Sequence, residues 1–345
     1  DCDPVDDGKR SGPVEVKLVP AALTLPNAAL LCPMPHASRI RLAVAPAAVA
    51  LAAVALAAVA LVSVAAAPRS AGTTAQADPP QAPAARAGHV MAAATNGGVL
   101  LFGGQVRDPA APSVEPFWEW NGRRWTVLPA GPGNRGLPAA AYDTDRRALV
   151  IHGGSDVAAR SLFDETWEFR NGAWRRIAAP GPGARDHHAM AYDAARRRVV
   201  MYGGGAGPDT FLDDTWTWDG TAWTKLDAPG PPALVHHAMA YDAARGRIVM
   251  FGGFDTSGTA TGLWEFDGTR WEAIAPAGPA PEPRSRHRLA YDAARGEVVM
   301  FGGTMTSETW TWNGTRWARH DTAGPSPRAV AAMAYDTARQ KVVLF

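Results

Sequence analysis

Cysteine is nearly absent from this chain. Cys2 and Cys32 are the only two in 345 residues, and nothing after position 32 carries a thiol. A disulfide framework, a thiolate zinc site and a cysteine nucleophile are thereby excluded from the whole downstream region. An excess of charge of either sign is missing too: 34 Lys and Arg stand against 33 Asp and Glu, a formal net charge of +1. Nucleic-acid binding needs a clustered basic face, and the run Arg196-Arg197-Arg198 is one turn's worth of charge, read as a solvated loop. After residue 78 no segment has the apolar period of an amphipathic helix. Gly-x-Ser-x-Gly, His-Glu-x-x-His and a phosphate-cradling glycine loop are absent as well.

What the chain does have is a ladder of glycine pairs: Gly103-Gly104, Gly153-Gly154, Gly203-Gly204, Gly252-Gly253 and Gly302-Gly303, at intervals of 50, 50, 49 and 50 residues. Each follows a short apolar run, so a strand-like unit recurs with a period that marks a repeat architecture. The third unit reads in full. Residues 186–192 open an inner strand, 193–197 make a tight turn, and 198–202 form a second strand that ends at the glycine pair. After a variable loop, residues 214–218 alternate Thr and Trp as a third strand. Asp219-Gly220 then signals a two-residue hairpin, whose type I′ turn needs positive φ at both positions. Trp223 begins the fourth strand. The other hairpins are Asn121-Gly122, Asn171-Gly172, Asp267-Gly268 and Asn313-Gly314, and all 13 tryptophans fall on third and fourth strands. Alternating aromatic and β-branched residues mean half-buried antiparallel strands.

Four short antiparallel strands per unit make one propeller blade. A glycine pair after an apolar strand, then spaced aromatics, an Asn/Asp-Gly turn and a Trp together resemble the kelch repeat over roughly residues 86–345. Tyr-Asp-x-x-Arg at 142–146, 192–196, 241–245, 291–295 and 335–339 looks like bacterial exported kelch proteins in particular. The expected fold is all-β: a kelch-type β-propeller of four-stranded antiparallel blades, five complete and half of a sixth. Residues 329–345 supply only the first two strands of that sixth unit, and the sequence stops at Phe345, where a glycine pair is due. Since an unclosed propeller exposes a strand edge, the expectation is a C-terminal truncation of a six- or seven-bladed parent. A five-bladed ring closed by the last hairpin is the alternative. The glycines are expected to permit close backbone approach, the tryptophans to fill wedges between blades, and the Asp of Tyr-Asp to cap its turn.

The N-terminal part is of another kind. Residues 1–33 are polar and Pro-broken, and read as upstream or disordered sequence. Residues 34–77 begin at Met34, carry Arg39 and Arg41, run uncharged through 42–67 and end in Ala75-Gln76-Ala77. That is the layout of a signal peptide, although 26 apolar residues could also serve as a signal anchor. Residues 78–85 are a linker and 86–345 the propeller. Export to the periplasm, cell surface or medium follows on either reading.

Function is sought on the face that carries the strand two-to-three loops and the blade crossings, since variable loops on a rigid frame host binding. Where each inner strand begins, aligned positions carry Arg86, Arg135, Arg185, Leu234, Arg284 and Arg328, followed three residues on by His89, Pro138, His188, His237, His287 and Ala331. In the kelch family the first strand lines the channel, so the resemblance implies an Arg and His ring at its mouth. The candidate ligand-binding residues are Arg135, Arg185, His188, His237, Arg284, His287 and Arg328. The competing reading has these side chains satisfying main-chain carbonyls of the crossings. No metal is expected, because equivalent positions on neighbouring blades lie too far apart for several rings to reach one ion at ~2.0–2.1 Å. No cofactor is expected either. The kelch-like copper radical oxidases need a cysteine cross-linked to tyrosine, which this region lacks. The favoured function is an exported monomeric binding or scaffold module for a protein, glycan or cell-surface ligand, with membrane contact only through an N-terminal anchor. The alternative is an exported sugar-modifying enzyme working at the channel mouth. Export is checked by N-terminal sequencing of the secreted protein: a start at Asp78 supports cleavage, and retention of Met34 supports an anchor.

Overall fold

The structure is a computed structural model that describes residues 16–18, 82–106, 117–156, 158–259, 262–304, 306–321 and 324–345. The chain's contacts divide it into two units, residues 1–28 with 81–345 and residues 29–80. The second unit, with the expected signal segment and Cys32, lies outside the described residues, as does Cys2 of the first unit. Every described element is a strand, and no described helix is long and apolar enough to cross a membrane.

Six small sheets form a six-bladed β-propeller. Blade 1 is built from Arg86–Ala93, Val99–Val106, Phe117–Trp120 and Trp125–Leu128. Blade 2 follows with Ala139–Asp143, Ala148–His152, Thr166–Arg170 and Ala173–Ile177, and blade 3 with Ala189–Asp193, Arg198–Tyr202, Thr215–Trp218 and Trp223–Leu226. Blade 4 comprises Ala238–Asp242, Arg247–Phe251, Leu263–Phe266 and Trp271–Ile274, and blade 5 Arg288–Asp292, Glu297–Phe301, Thr309–Trp312 and Trp317–His320. Each of these sheets is an antiparallel meander, with the first strand innermost. Blade 6 has Met333–Asp336 and Lys341–Leu344 from the end of the chain. Its third strand is Val16–Leu18, which runs parallel to Lys341–Leu344 where every other third strand is antiparallel. Three residues are too short a run to announce themselves as a strand, so this member falls within the 1–33 segment that the sequence leaves outside the propeller.

The ring is closed by main-chain hydrogen bonds at one position per blade. Leu137 N–H donates to Gly88 O, His187 to Leu137, His236 to His187, Arg286 to His236, Val330 to Arg286 and Gly88 to Val330, at 2.8–3.3 Å. Six donors and six acceptors thus form a circle around the channel. All six residues have positive φ, between 52° and 69°. The inner strand of blade 3 therefore begins at Ala189, three residues later than the sequence suggests: the residue at the left-handed position, His187, ends the crossing and directs its N–H across to the neighbouring blade.

The glycine pairs form a second circumferential contact. In each, the second glycine donates its N–H to the carbonyl at the aligned Arg position of the next blade: Gly104 to Arg135, Gly154 to Arg185, Gly204 to Leu234, Gly253 to Arg284 and Gly303 to Arg328, at 2.8–3.1 Å. The first glycine lies against the same carbonyl. A Cβ on Gly252 would stand 2.3 Å from Arg284 O.

Between blades, an aromatic ring at the end of one blade's second strand meets the fourth-strand Trp of the next. Phe345 meets Trp125 at 5.6 Å, Phe102 meets Trp174 at 5.3 Å, Tyr202 meets Trp271 at 5.2 Å and Phe251 meets Trp317 at 5.3 Å. Three of these contacts are edge-on and that of Phe102 with Trp174 is tilted; together they are the expected wedges. Trp167, Trp216 and Trp264 of the third strands are half-buried, as is the wedge residue Trp174. On the opposite face the Tyr-Asp-x-x-Arg turns are capped as expected. Asp193 Oδ1 accepts from Arg196 N at 3.1 Å and Asp242 Oδ1 from Arg245 N at 3.2 Å. The Tyr has a role the turn alone does not reveal: Tyr241 Oη accepts from Ala195 N of the preceding blade at 3.1 Å, and Tyr291 Oη from Ala244 N at 3.0 Å.

Two glycine substitutions separate backbone strain from contact. Gly172 has φ 78° with open space where a Cβ would go, so Gly172→Ala is expected to cost only the left-handed backbone penalty of about 1 kcal/mol. Gly252→Ala meets the Arg284 carbonyl as well and is expected to cost at least about 2 kcal/mol more. Equal losses by chemical denaturation would contradict the interblade role of the glycine pair.

Candidate functional site

Both the strand two-to-three loops and the crossings lie on one face, and the circle of left-handed residues opens there. Three of the loops fold back as small hairpins: Ser155–Asp156 with Ser161–Leu162, Gly205–Gly207 with Thr210–Phe211, and Phe254–Asp255 with Gly258–Thr259. Each is fixed at its base to the crossing that enters its own blade, through the bridges Gly136 to Ser155, Asp186 to Gly205 and Val235 to Phe254. Exposed tips are therefore carried on rigid feet. They differ in chemistry: Ala158, Ala159 and Arg160 in blade 2, Pro208 and Asp209 in blade 3, Thr256 and Ser257 in blade 4.

The predicted Arg positions are buried in the walls. Arg135 donates to Gly153 O, Arg185 to Gly203 O and Arg284 to Gly302 O, each within its own blade. Each also pairs with the acid just before its third strand: Arg135 with Glu165, Arg185 with Asp214 at 2.6 Å and Arg284 with Glu308 at 2.5 Å. Burial raises the Asp214 carboxyl, but the Arg185 guanidinium outweighs that and holds it below the usual carboxylate range. Blade 4 departs at both ends of the clamp together, with Leu234 in place of Arg and Gly262 in place of the acid. Arg328 is half-buried and donates to Ser326 O at 3.2 Å and Ser326 Oγ at 3.0 Å; burial lowers its pKa.

The predicted His positions are buried against the blade interfaces. His188 lies edge-on to His152 at 5.7 Å, His237 to Tyr202 at 5.7 Å and His287 to Phe251 at 5.5 Å, and His89 meets Phe345 in the same way at 5.2 Å. Neither ring nitrogen of these four makes a hydrogen bond. The reading in which these side chains satisfy crossing carbonyls fits the arginines, since Arg135, Arg185 and Arg284 also donate through Nε to Pro132 O, Gly183 O and Glu282 O, and does not fit the histidines. The Tyr202 carbonyl is close enough to His237 to favour its protonated form slightly, but burial dominates and pushes the ring down to about 4. Burial likewise holds His287 at about 3, and His89 and His188 well below 6.5.

The channel itself holds a cavity of about 120 Å³. Its lining includes His187, His236, Leu137, Met190, Met239 and Arg288. The paired histidines of each doublet part company: His188 and His237 turn into the interfaces, while His187 and His236 meet each other in the mouth, ring centroids 3.9 Å apart. Asp186 Oδ1 lies 2.6 Å from His187 Nδ1 and fixes that ring. Chemically the mouth offers an oriented imidazole, a second imidazole and the Arg288 guanidinium. Among the described residues no group of three His, Cys, Asp or Glu is placed to hold a metal ion. Arg288 is the residue that tracking the Arg and His columns alone does not find. Its signal is internal: the aligned positions are Val90, Ala139, Ala189, Ala238 and Ala332, so it is the one polar side chain in its column. Comparison with known protein families and with curated proteins finds no match.

The buried histidines set an acid limit. They are neutral in the folded state, while the unfolded chain binds protons below about 6.5. Stability is therefore complete above that pH and is lost as pH falls toward the folded values near 4 and 3. Position 237 is occupied by Ala331 in blade 6, so His237→Ala can be accommodated. Its stability loss between pH 7 and 4.5 is expected to be smaller than that of the parent by about 2 kcal/mol. Identical pH slopes for the two proteins would rule the mechanism out.

Proposed function

We propose that this chain is an exported kelch-type propeller that works as a binding module, taking a protein, glycan or cell-surface polymer on its loop-rich face. The observation that carries the reading is the set of three bridged hairpins, whose exposed tips differ in chemistry while their feet are held in register by the blades. Such presentation favours recognition, because little ordering entropy remains to be lost on binding. The buried Arg clamps and interface histidines act beneath this face as its support. Export rests on the Arg39 and Arg41 region followed by the uncharged run at 42–67. The enzymatic alternative, a sugar-modifying activity at the mouth, has one feature in its favour: the Asp186 carboxylate orients His187 as a general base would be oriented.

The test uses the whole propeller against a glycan array and an insoluble cell-wall polymer fraction. Each hairpin tip is replaced in turn by Asn-Gly, which closes a two-residue turn: this shortens the blade 2 tip and exchanges the two tip residues in blades 3 and 4. At least one tip variant with unchanged melting temperature is expected to lose binding about tenfold or more. Full retention in all three variants, or no binding by the parent, would overturn the reading.

A further inference from the structure

We propose that the loop-face mouth of the channel is an oxyanion site, in which Arg286 and Arg288 of blade 5 hold a phosphate, sulfate or carboxylate group beside His187 and His236. The site is separate from the hairpin tips and its test does not depend on them.

Four observations converge. First, both arginines lack a carboxylate. The buried Arg135, Arg185 and Arg284 are each paired with an acid, but Arg286 and Arg288 have no ion pair among the described residues. Arg288 makes a single hydrogen bond, Nη1 to His287 O at 3.0 Å. Arg286 lies over the Phe254 ring at 5.7 Å. Burial pushes the Arg288 guanidinium down to about 10, a measure of how poorly its charge is solvated. An unpaired cation in that position is costly unless a counter-charge arrives.

Second, the architecture does not need Arg288. Four of its five equivalents are alanine, at 139, 189, 238 and 332, and these blades have the same inner-strand pairing. Third, the polar groups gather on one side of the mouth. His187, His236 and Arg286 occupy successive left-handed positions in blades 3, 4 and 5, whereas Gly88, Leu137 and Val330 occupy the other three. Burial, then the neighbouring His187 ring and the charges of Arg286 and Arg288, keep His236 well below 6.5. It is therefore a neutral ring, able to offer an N–H to an anion. The carboxylate in the cluster, Asp186, is engaged by His187. Fourth, there is room. A cavity of about 120 Å³, lined by His187, His236 and Arg288, far exceeds the ~10–15 Å³ that one water requires, so a small oxyanion or the anionic end of a larger ligand fits; Arg286 does not line it but its charge acts on the His236 ring.

A planar guanidinium holds two oxygens of one anion at once, and a second guanidinium in a poorly hydrated channel adds to that attraction. The expected ligand is a small metabolite or polymer end-group carrying phosphate, sulfate or carboxylate.

Calorimetric titration of the full chain at low ionic strength with inorganic phosphate, sulfate and acetate decides the matter, with chloride as the control. At least one oxyanion is expected to bind saturably in the millimolar range, and the strongest of the three gives the group's chemistry. Arg288→Ala restores the residue found in four other blades, so its fold is preserved. It is expected to weaken binding about tenfold or more while its melting temperature stays the same or rises. Arg286→Gln should weaken it as well. Absence of saturable binding by the parent, or equal binding by Arg288→Ala, would overturn the proposal. The hairpin-tip variants should bind the oxyanion normally, so failure of the loop-face reading and failure of this one give different results.

Discussion

The rest of the structure depends on a circle of six main-chain hydrogen bonds, through Gly88, Leu137, His187, His236, Arg286 and Val330. Each N–H in it faces a carbonyl that belongs to the neighbouring blade. A break at any point leaves a donor and an acceptor without partners near the channel, at a cost of about 1–3 kcal/mol per group. The circle also requires a left-handed residue at the start of every inner strand, and four of the six are Leu, Val or His, which adopt that conformation at a cost. The strain is sustained because it places six donors and six acceptors in register.

The glycine pairs hold the same blades together one step outward. Their N–H groups reach the carbonyls at the aligned Arg positions, and the Arg side chains turn back onto glycine carbonyls within their own blades. Backbone and side chain are thus interlocked at each boundary. The aromatic, Trp and interface-His contacts fill the wedge beyond. With the walls fixed in this way, the side chains at the left-handed positions are directed to the mouth, and their identities can differ from blade to blade without disturbing the frame. That is how one side of the channel comes to carry His187, His236 and Arg286.

Much of the fold is legible in the sequence because its devices are local. Asn-Gly and Asp-Gly turns, alternating Trp strands and Tyr-Asp-x-x-Arg caps each span a few residues, and each has one dominant physical reading. The sixth blade is partly legible: its first two strands follow the repeat, whereas Val16–Leu18 joins it from far away and in parallel. The site is less legible. The partner acids of the Arg clamps lie about one strand pair downstream, so only aligned repeats reveal them, most clearly where Leu234 and Gly262 depart together. The roles of His187 and His188 are not set by alternation along a strand, because His187 is itself a left-handed residue and the inner strand begins only at Ala189. Arg288 escapes a reading that follows only the Arg and His columns, since it stands in a column of alanines.

The account stands or falls on whether the ring is closed between blades 6 and 1, where Gly88 donates to Val330. Native-state hydrogen exchange on the six circle amides measures this directly. Closure predicts that Gly88, Leu137, His187, His236, Arg286 and Val330 all exchange with the free energy of global unfolding. Exchange of Gly88 or Leu137 at the rate of an exposed loop, with the other amides still protected, would mean an open ring and would contradict the account.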